Sequence, residues 1–340
     1  MKHFIFSVVS TALCAVIISC TDSEEVEIQS TLSVETSLES AVLGFQEYQG
    51  EDFKVDDTFR IRVTNYVYDN SGKLVEKKDT LAKQFTETVK MEFVLPDGDY
   101  KILATTDVVV GTTLSNIETE FYTASGTDNL NTFQFDENDL IKSLYTGILT
   151  ATLSDVSLKE GKKEIRINVK PLTALIRCII NNIHYTHYNK EKECVMTYLE
   201  IQYDKRFDRA NYETNQWKFI STSSETDGFR LSYVDLTDSF WDDYPGSYDL
   251  ISVFPGTYKF SGYGEYIWAG DWEKYYTLTD YSSSLTIESG KQYNVLFDVE
   301  DFSISFEKAS NSSRIISPFK NCVMKMRSFD RPVLKLKDVI

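Results

Sequence analysis

Val89-Lys90-Met91-Glu92-Phe93-Val94-Leu95-Pro96-Asp97-Gly98-Asp99-Tyr100-Lys101-Ile102-Leu103-Ala104 decides the fold class in one stretch. Val89, Met91, Phe93 and Leu95 occupy alternate positions, so a strand over them buries one face and wets the other. Pro96-Asp97-Gly98-Asp99 follows with turn chemistry, proline fixing φ and glycine accepting positive φ. Tyr100 to Ala104 resumes as a strand, and the whole reads as a β-hairpin. The same alternation runs outward on both sides: Phe59, Ile61 and Val63 share a face, as do Ile165, Ile167 and Val169. Asp69-Asn70-Ser71-Gly72-Lys73 joins one strand to Leu74-Val75. Helix is scarce, with a candidate turn or two over Asn138 to Tyr145. Sequential hairpins at this spacing predict an all-β, antiparallel sandwich.

Two features recur. Pro96-Asp97-Gly98-Asp99-Tyr100-Lys101 is echoed by Pro255-Gly256-Thr257-Tyr258-Lys259, and Gly161-Lys162 before one strand is echoed by Gly290-Lys291 before Tyr293, Val295, Phe297 and Val299. The turns are unequally spaced, which excludes a short-period solenoid and fits two related sandwiches with different loops. Pro171 marks the expected boundary, because proline belongs at a strand's edge or beginning.

Composition agrees. Aromatic residues make up 14% of the chain, and such residues fill pleated surfaces. His184 and His187 are the only histidines after His3, leaving little for acid–base chemistry near neutral pH. A net charge of -17 argues against nucleic acid, which proteins bind by neutralising phosphates. Residues 314–340 hold seven basic residues against two acidic ones, a balance of +5; with Lys2 set aside, residues 20–313 stand at -23. A basic tail therefore follows an acidic body.

The N-terminal segment reads as an export signal. Lys2 supplies the positive region and Phe4 to Ile18 the apolar run, and Ile17-Ile18-Ser19-Cys20 has the form of a lipobox, whose cysteine is acylated and becomes the mature N-terminus. The run falls short of the roughly 20 apolar residues that span a bilayer. Thr21-Asp22-Ser23-Glu24-Glu25 reads either as a solvated acidic linker or as the acidic tag of surface-displayed lipoproteins. Cys178, Cys194 and Cys322 form no disulfide framework, although an envelope location permits one bridge. Cys178 lies in Ala174-Leu175-Ile176-Arg177-Cys178-Ile179-Ile180, where a buried thiol is expected.

Chemistry-bearing constellations are weak. His184 and His187 fall on opposite faces of a strand and have no zinc-ligand spacing around them, so a strand-end turn is expected rather than a metal site. Asp235, Asp238, Asp242 and Asp243 lack the order of an EF-type calcium loop and read as a solvated face. The sequence has no glycine-rich phosphate loop and no Gly-x-Ser-x-Gly elbow; neither an enzyme nor a cofactor is expected. Trp217, Trp241, Trp268 and Trp272 crowd the second half with many tyrosines, as core filling or as a stacking platform for a glycan or partner. Trp268 and Trp272 flank Gly270 in a loop-like stretch and are the candidates for exposed aromatic contacts.

The lipobox, Tyr66-Val67-Tyr68-Asp69 with its Asn70-Ser71-Gly72 turn and Lys73-Leu74-Val75, the 95–101 stretch, Leu144-Tyr145-Thr146-Gly147 and Gly290-Lys291-Gln292-Tyr293 together resemble the fimbrillin superfamily, and within it the fimbrillin-associated anchor lipoproteins. The likeness covers most of residues 30–307. It implies a type V pilus protein of two tandem Greek-key, transthyretin-like β-sandwiches, whose relatives polymerise when a strand of one subunit completes the sheet of the next. It also implies that related pilins are trimmed by a trypsin-like protease; here no Lys or Arg occurs between Cys20 and Phe53. Leu144-Tyr145-Thr146-Gly147 departs from the family in being polar, and the tail after Glu307 has no counterpart.

The expected organisation is a signal peptide over 1–19, a lipidated N-terminus with linker or first strand over 20–35, sandwiches over 36–170 and 171–310, and a basic tail over 311–340. The expected function is an anchor or accessory subunit of a surface fimbrium, held by lipid in the outer membrane and joined to fimbrial subunits by strand pairing. A polymerising pilin and a lipoprotein that binds a host protein or glycan are the alternatives.

Overall fold

The computed structural model describes residues 29–41, 59–138, 148–181, 194–203, 207–222, 229–235, 247–268, 271–278, 283–298 and 303–308. These residues fold as β-sandwiches. In the first, β1 (Gln29–Ser37) lies between β4 (Thr88–Pro96) and β10 (Lys162–Asn168). The facing sheet runs β3 (Leu74–Ala82), β2 (Phe59–Asp69), β5 (Gly98–Gly111), β6 (Ile117–Glu120), and β9 (Thr150–Leu158) also pairs with β5. In the second, β11 (Ala174–Asn181) lies between β16 (Ser247–Val253) and β20 (Gln292–Asp298), with β21 (Ser303–Lys308) beyond β20. Its facing sheet runs β15 (Phe229–Asp235), β12 (Cys194–Tyr203), β17 (Gly256–Trp268), β18 (Asp271–Leu278), and β19 (Ser283–Ile287) pairs with β17.

The two pairing schemes coincide strand for strand. β1 is antiparallel to β4 and parallel to β10, as β11 is to β16 and β20. Each sandwich is thus mixed rather than purely antiparallel, because its first strand lies parallel to a strand from its C-terminal part; β21, beyond β20, has no counterpart in the first. The sequence recurrences fall at equivalent corners: Gly98 opens β5 and Gly256 opens β17, while Gly161 (φ 119°) and Gly290 (φ 68°) precede β10 and β20. Pro171 lies between β10 and β11.

The 89–104 stretch is not a hairpin. β4 pairs with β1, and β5 with β2, β6 and β9, so the turn carries the chain from one sheet to the facing one. Alternation and turn chemistry look the same for either path, which is why the sequence pattern suggested local pairing. The tyrosine after each turn closes the corner. Tyr100 Oη donates to the Pro96 carbonyl at 2.8 Å and Tyr258 Oη to the Phe254 carbonyl at 2.6 Å. A Cβ at Gly256 would stand 2.1 Å from the Phe207 ring, so this corner also requires glycine for packing.

Val89, Met91, Phe93 and Leu95 are buried as the alternation predicts, and they meet Leu32, Val34, Ile61, Val63 and Val67 in the first core. β2 and β5 depart from the expected half-buried pattern by being covered on both faces. The cover is a further sheet, β14 (Gln216–Ile220), β13 (Arg209–Glu213), β8 (Gln134–Glu137), β7 (Tyr122–Ser125), built from one insertion in each half of the chain. β8 and β13 pair antiparallel from Gln134↔Asn211 to Asp136↔Arg209. Beneath them Phe133 meets Tyr66 edge-on at 5.1 Å and Trp217 at 6.1 Å, and Tyr212 meets Trp217 at 5.2 Å. Trp217 is therefore core filling. Asn138 donates its backbone N–H to Phe121 O at 2.9 Å and is not helical; residues 139–145 lie outside the described residues.

Arg62, which alternation would put in solvent, faces this cover. Its Nε and Nη2 bond both carboxylate oxygens of buried Asp107 at 3.0 and 2.7 Å, and its Nη1 reaches Glu120. Burial pushes the Asp107 carboxyl up to about 6, against the pull of Arg62. Burial also works to lower the Arg62 pKa, but Asp107 and Glu120 outweigh it and hold the guanidinium above its ordinary value. Removing one partner of such a pair leaves a buried charge. Arg62→Met is therefore expected to cost about 3–5 kcal/mol in chemical denaturation, and Arg62→Met with Asp107→Leu to recover most of it. The native pKa of Asp107 lies above its unfolded value, so protonation favours the native state. The deficit of Arg62→Met should accordingly shrink as pH falls from neutrality through the Asp107 range.

Candidate functional site

β1 is the element on which a strand-exchange function would turn, because both its edges are occupied by strands that do not pair with each other. It pairs with β4 from Gln29↔Pro96 to Ser37↔Thr88, and with β10 from Thr31↔Lys162 to Ser37↔Asn168. The sequence Gln-Ser-Thr-Leu-Ser-Val-Glu-Thr-Ser suits this place. Leu32 and Val34 point into the core at 0% exposure, and Leu38 follows them. Apart from Glu35, the residues between them are hydroxylic, so the strand fits between two neighbours without crowding.

The 96–98 corner also fastens this strand. Ser30 Oγ donates to Asp97 Oδ1, while Asp97 Oδ2 accepts the Glu160 N–H at 2.8 Å just before β10. Thr31 N–H donates to Gly161 O at 2.9 Å. One carboxylate thus ties the start of β1 to the two corners that deliver its neighbours. At the other end Thr36 Oγ1 and the Asn65 side chain approach to 3.4 Å, and Leu38 N–H donates to Glu87 O at 3.2 Å. Removing β1 would open an apolar groove and leave the facing backbone edges of β4 and β10 unpaired.

Cys20 lies outside the described residues, nine positions before Gln29. Trp268 ends β17 and Trp272 falls in β18, in a hairpin that pairs Trp268 with Asp271. Both tryptophan side chains lie outside the described residues. So do His184, His187, Trp241, Asp238, Asp242, Asp243, Leu144-Tyr145-Thr146-Gly147, the 309–340 tail and the side chains of Cys178 and Cys194. Among the described residues no group of His, Cys, Asp or Glu could hold a metal ion, and no helix is long and apolar enough to cross a membrane. Sequence reading missed β1 as a central strand: Gln29 to Ser37 carries only Leu32 and Val34 as large apolar residues. The available signal was their two-residue spacing.

The family described as Fimbrillin-A associated anchor proteins Mfa1 and Mfa2 matches residues 61–236, just over half the chain. No curated protein matches. Solved structures similar to this chain include a candidate polysaccharide-binding protein from Bacteroides thetaiotaomicron, 13% identical over 83% of this chain and 99% of the other (TM-score 0.46). A candidate adhesin from Bacteroides ovatus is 12% identical over 84% and 95% (TM-score 0.45). The tip fimbrial protein Mfa3 from Porphyromonas gingivalis, truncated at its C-terminus, is 9% identical over 83% and 98% (TM-score 0.42).

Leu32→Ala tests whether β1 carries the stability of the first sandwich. A fully buried leucine truncated to alanine typically costs about 2–5 kcal/mol, so the thermal midpoint should fall by several degrees. An unchanged midpoint would mean that β1 is dispensable to the fold.

Proposed function

Because the chain belongs to the Fimbrillin-A associated anchor proteins, we propose that it is an accessory or anchoring subunit of a surface fimbrium, tethered to the outer membrane by acyl chains on Cys20. The family match carries this reading. The position of β1 gives it a mechanism, since this strand begins nine residues after Cys20 and fills the centre of a sheet. The tether and the fold would then share one segment, so the lipid could be lost by proteolysis only with β1 or with the few residues before it. Lys54 is the first tryptic position after Cys20 and lies beyond β1. Cleavage there would remove tether and strand together and convert an anchor into a subunit with an open groove. A retained N-terminus is therefore what separates anchor from pilin.

We keep the boundary between the two sandwiches at 170/171, count β1 (Gln29–Ser37) in the first rather than in a 20–35 linker, and let the insertion sheet span both. The fimbrial partner would engage by strand addition, main-chain hydrogen bonds giving affinity and alternate side-chain pockets giving specificity. The basic 311–340 tail is a candidate strand for this, its charge opposed to the acidic body. No catalytic role is proposed.

Three measurements test the proposal. Cys20→Ala should release the protein from the membrane fraction or leave its precursor uncut, since several acyl chains at about 0.8 kcal/mol per buried methylene hold where one contact does not. An alanine variant that fractionates like wild type would refute the lipid tether. Intact-mass analysis of surface-assembled protein should find acylated Cys20 as the N-terminus; Val55 or later would establish the pilin reading instead. Truncation after Ser313 should abolish recruitment of fimbriae at an unchanged thermal midpoint if the tail pairs with a neighbour, and should lower the midpoint if it pairs within its own sandwich. With neither change, the tail has no strand role.

A further inference from the structure

The solvent face of the β4-β1-β10 sheet has a feature that core packing does not require. At the row of Ser33, β4 presents Glu92 and β10 presents Glu164; one row away in opposite directions stand Lys90 on β4 and Lys162 on β10. The charges join diagonally across β1 rather than along their own strands alone. Lys90 Nζ reaches Glu164 Oε1 at 3.3 Å, and Lys162 Nζ reaches Glu92 Oε1 at 3.6 Å. Lys162 also meets Glu164 at 3.3 Å, which links the two bridges. Hydrogen bonding to Glu164 raises the Lys162 pKa, and bonds from Lys162 and Lys90 lower that of Glu164, so Lys162 and Glu164 stay charged at neutral pH.

Beneath the crossing lies Ser33. Although it points to the solvent side of its sheet, it is 0% exposed, and its Oγ is buried without a hydrogen-bond partner. An outward-facing serine would ordinarily be wet. Its burial means that the aliphatic stems of the flanking residues close over it. A side chain much larger than serine would lift them apart and break both bridges. At the equivalent strand of the second sandwich the flanking residues are uncharged, Ser252 and Gln292 beside Leu175 and Ile251 and Tyr293 beside Ile176. Arg177 of β11 is likewise flanked by uncharged Leu250 and Asn294, so the four-charge crossing over β1 is not part of the shared topology.

We propose that Lys90, Glu92, Lys162 and Glu164 form an ionic strap over β1 that keys the groove between β4 and β10 to a strand with a small side chain at the Ser33 position, and so holds the chain's own first strand against replacement by a strand from another subunit. The biological sense of the strap rests on the anchor reading above, in which β1 stays in place. Its physical content does not, because the strap acts on β1 opening whether or not Cys20 is acylated. Each bridge is exposed and individually weak, so the effect is read in the local opening of β1 rather than in bulk stability. It should fade at high salt, where exposed pairs are screened.

The test is hydrogen exchange of the full-length protein, read by mass spectrometry on the peptide spanning Gln29 to Ser37, with the β11 peptide as internal reference. Lys90→Ala with Lys162→Ala is expected to speed β1 exchange about fivefold at low salt, to leave β11 unchanged, and to match wild type at high salt. Reversing all four charges together (Lys90→Glu, Glu92→Lys, Lys162→Glu, Glu164→Lys), with Glu35→Gln to remove the like charge that would then stand opposite residue 90, should restore slow exchange, because every bridge is preserved with opposite sign. Ser33→Phe should speed β1 exchange by itself, and adding the two alanines to it should do little more. The proposal is overturned if β1 exchange is unaltered in the alanine variant, if β11 accelerates equally, if the difference survives high salt, or if the charge-reversed protein fails to recover. A protein lacking acylated Cys20 but showing these exchange results would refute the anchor reading and leave the strap standing.

Discussion

β4 and β10 do not pair with each other. Each offers its backbone donors and acceptors to β1, so the three-stranded sheet exists only while β1 lies between them. The consequence reaches past hydrogen bonding. Leu32, Val34 and Leu38 fill one wall of the first core, and a buried aliphatic side chain contributes about 1.5–3 kcal/mol. The corners at Asp97 and Gly161 are bonded to the strand's first residues. A segment far from the rest of its sheet in sequence therefore sets the stability of the whole first sandwich. Its pairing closes a long loop, whose entropy must be offset by just these contacts.

The second sandwich repeats the arrangement with β11, and the two are not independent beads. Each sends an insertion into the shared sheet, where β8 pairs with β13 and Arg209 bonds Asp136. Phe133, Phe135, Tyr212 and Trp217 pack under that sheet against Tyr66. Tyr122 and Ser252 bring their hydroxyls to 3.3 Å across the junction. Aromatic pairs of this geometry add about 0.5–1.5 kcal/mol each beyond the area they bury. The turn of the β13–β14 hairpin, Thr214-Asn215, has positive φ at both residues (48° and 63°), which matches the twist of the strands it joins.

Much of this was legible in the sequence and some was not, for identifiable reasons. The alternation of Val89 to Leu95 gave the strand and its buried face, and the Asp69-Asn70-Ser71-Gly72-Lys73 turn connects β2 to β3 as read, with Gly72 at φ 84°. The Gly-Tyr recurrence pointed to a duplicated plan, which the matching pairings of the two halves display. What period two does not encode is the partner of a strand. The 96–98 turn therefore passed for a hairpin, and the parallel β1–β10 pair left no local trace. Arg62 shows a related limit: alternation assigns it to the face away from the core, and only the two insertions that form the β14-β13-β8-β7 sheet make that face of β2 an interior. β1 was obscure because a strand flanked on both sides and covered by charged neighbours can be built from serine and threonine.

A tether at Cys20 would load the fold in a particular direction. Tension entering at the N-terminal end of β1 runs along the strand axis, parallel to the ladders on both sides. In that geometry the bonds to β4 and β10 resist together rather than opening one after another from an end. The bonds to Asp97 and Gly161 at the strand's start are the first to be strained, and they connect to the corners leading into β5 and β10. From β5 the load passes into the sheet whose outer face carries the Arg62–Asp107 pair and the shared insertion strands, and so into the second sandwich. A central first strand is a poor choice for a subunit that must surrender it and a good one for a subunit that must not. Placed next to such a tether, it would make cleavage at Lys54 and loss of the first sandwich's central strand the same event.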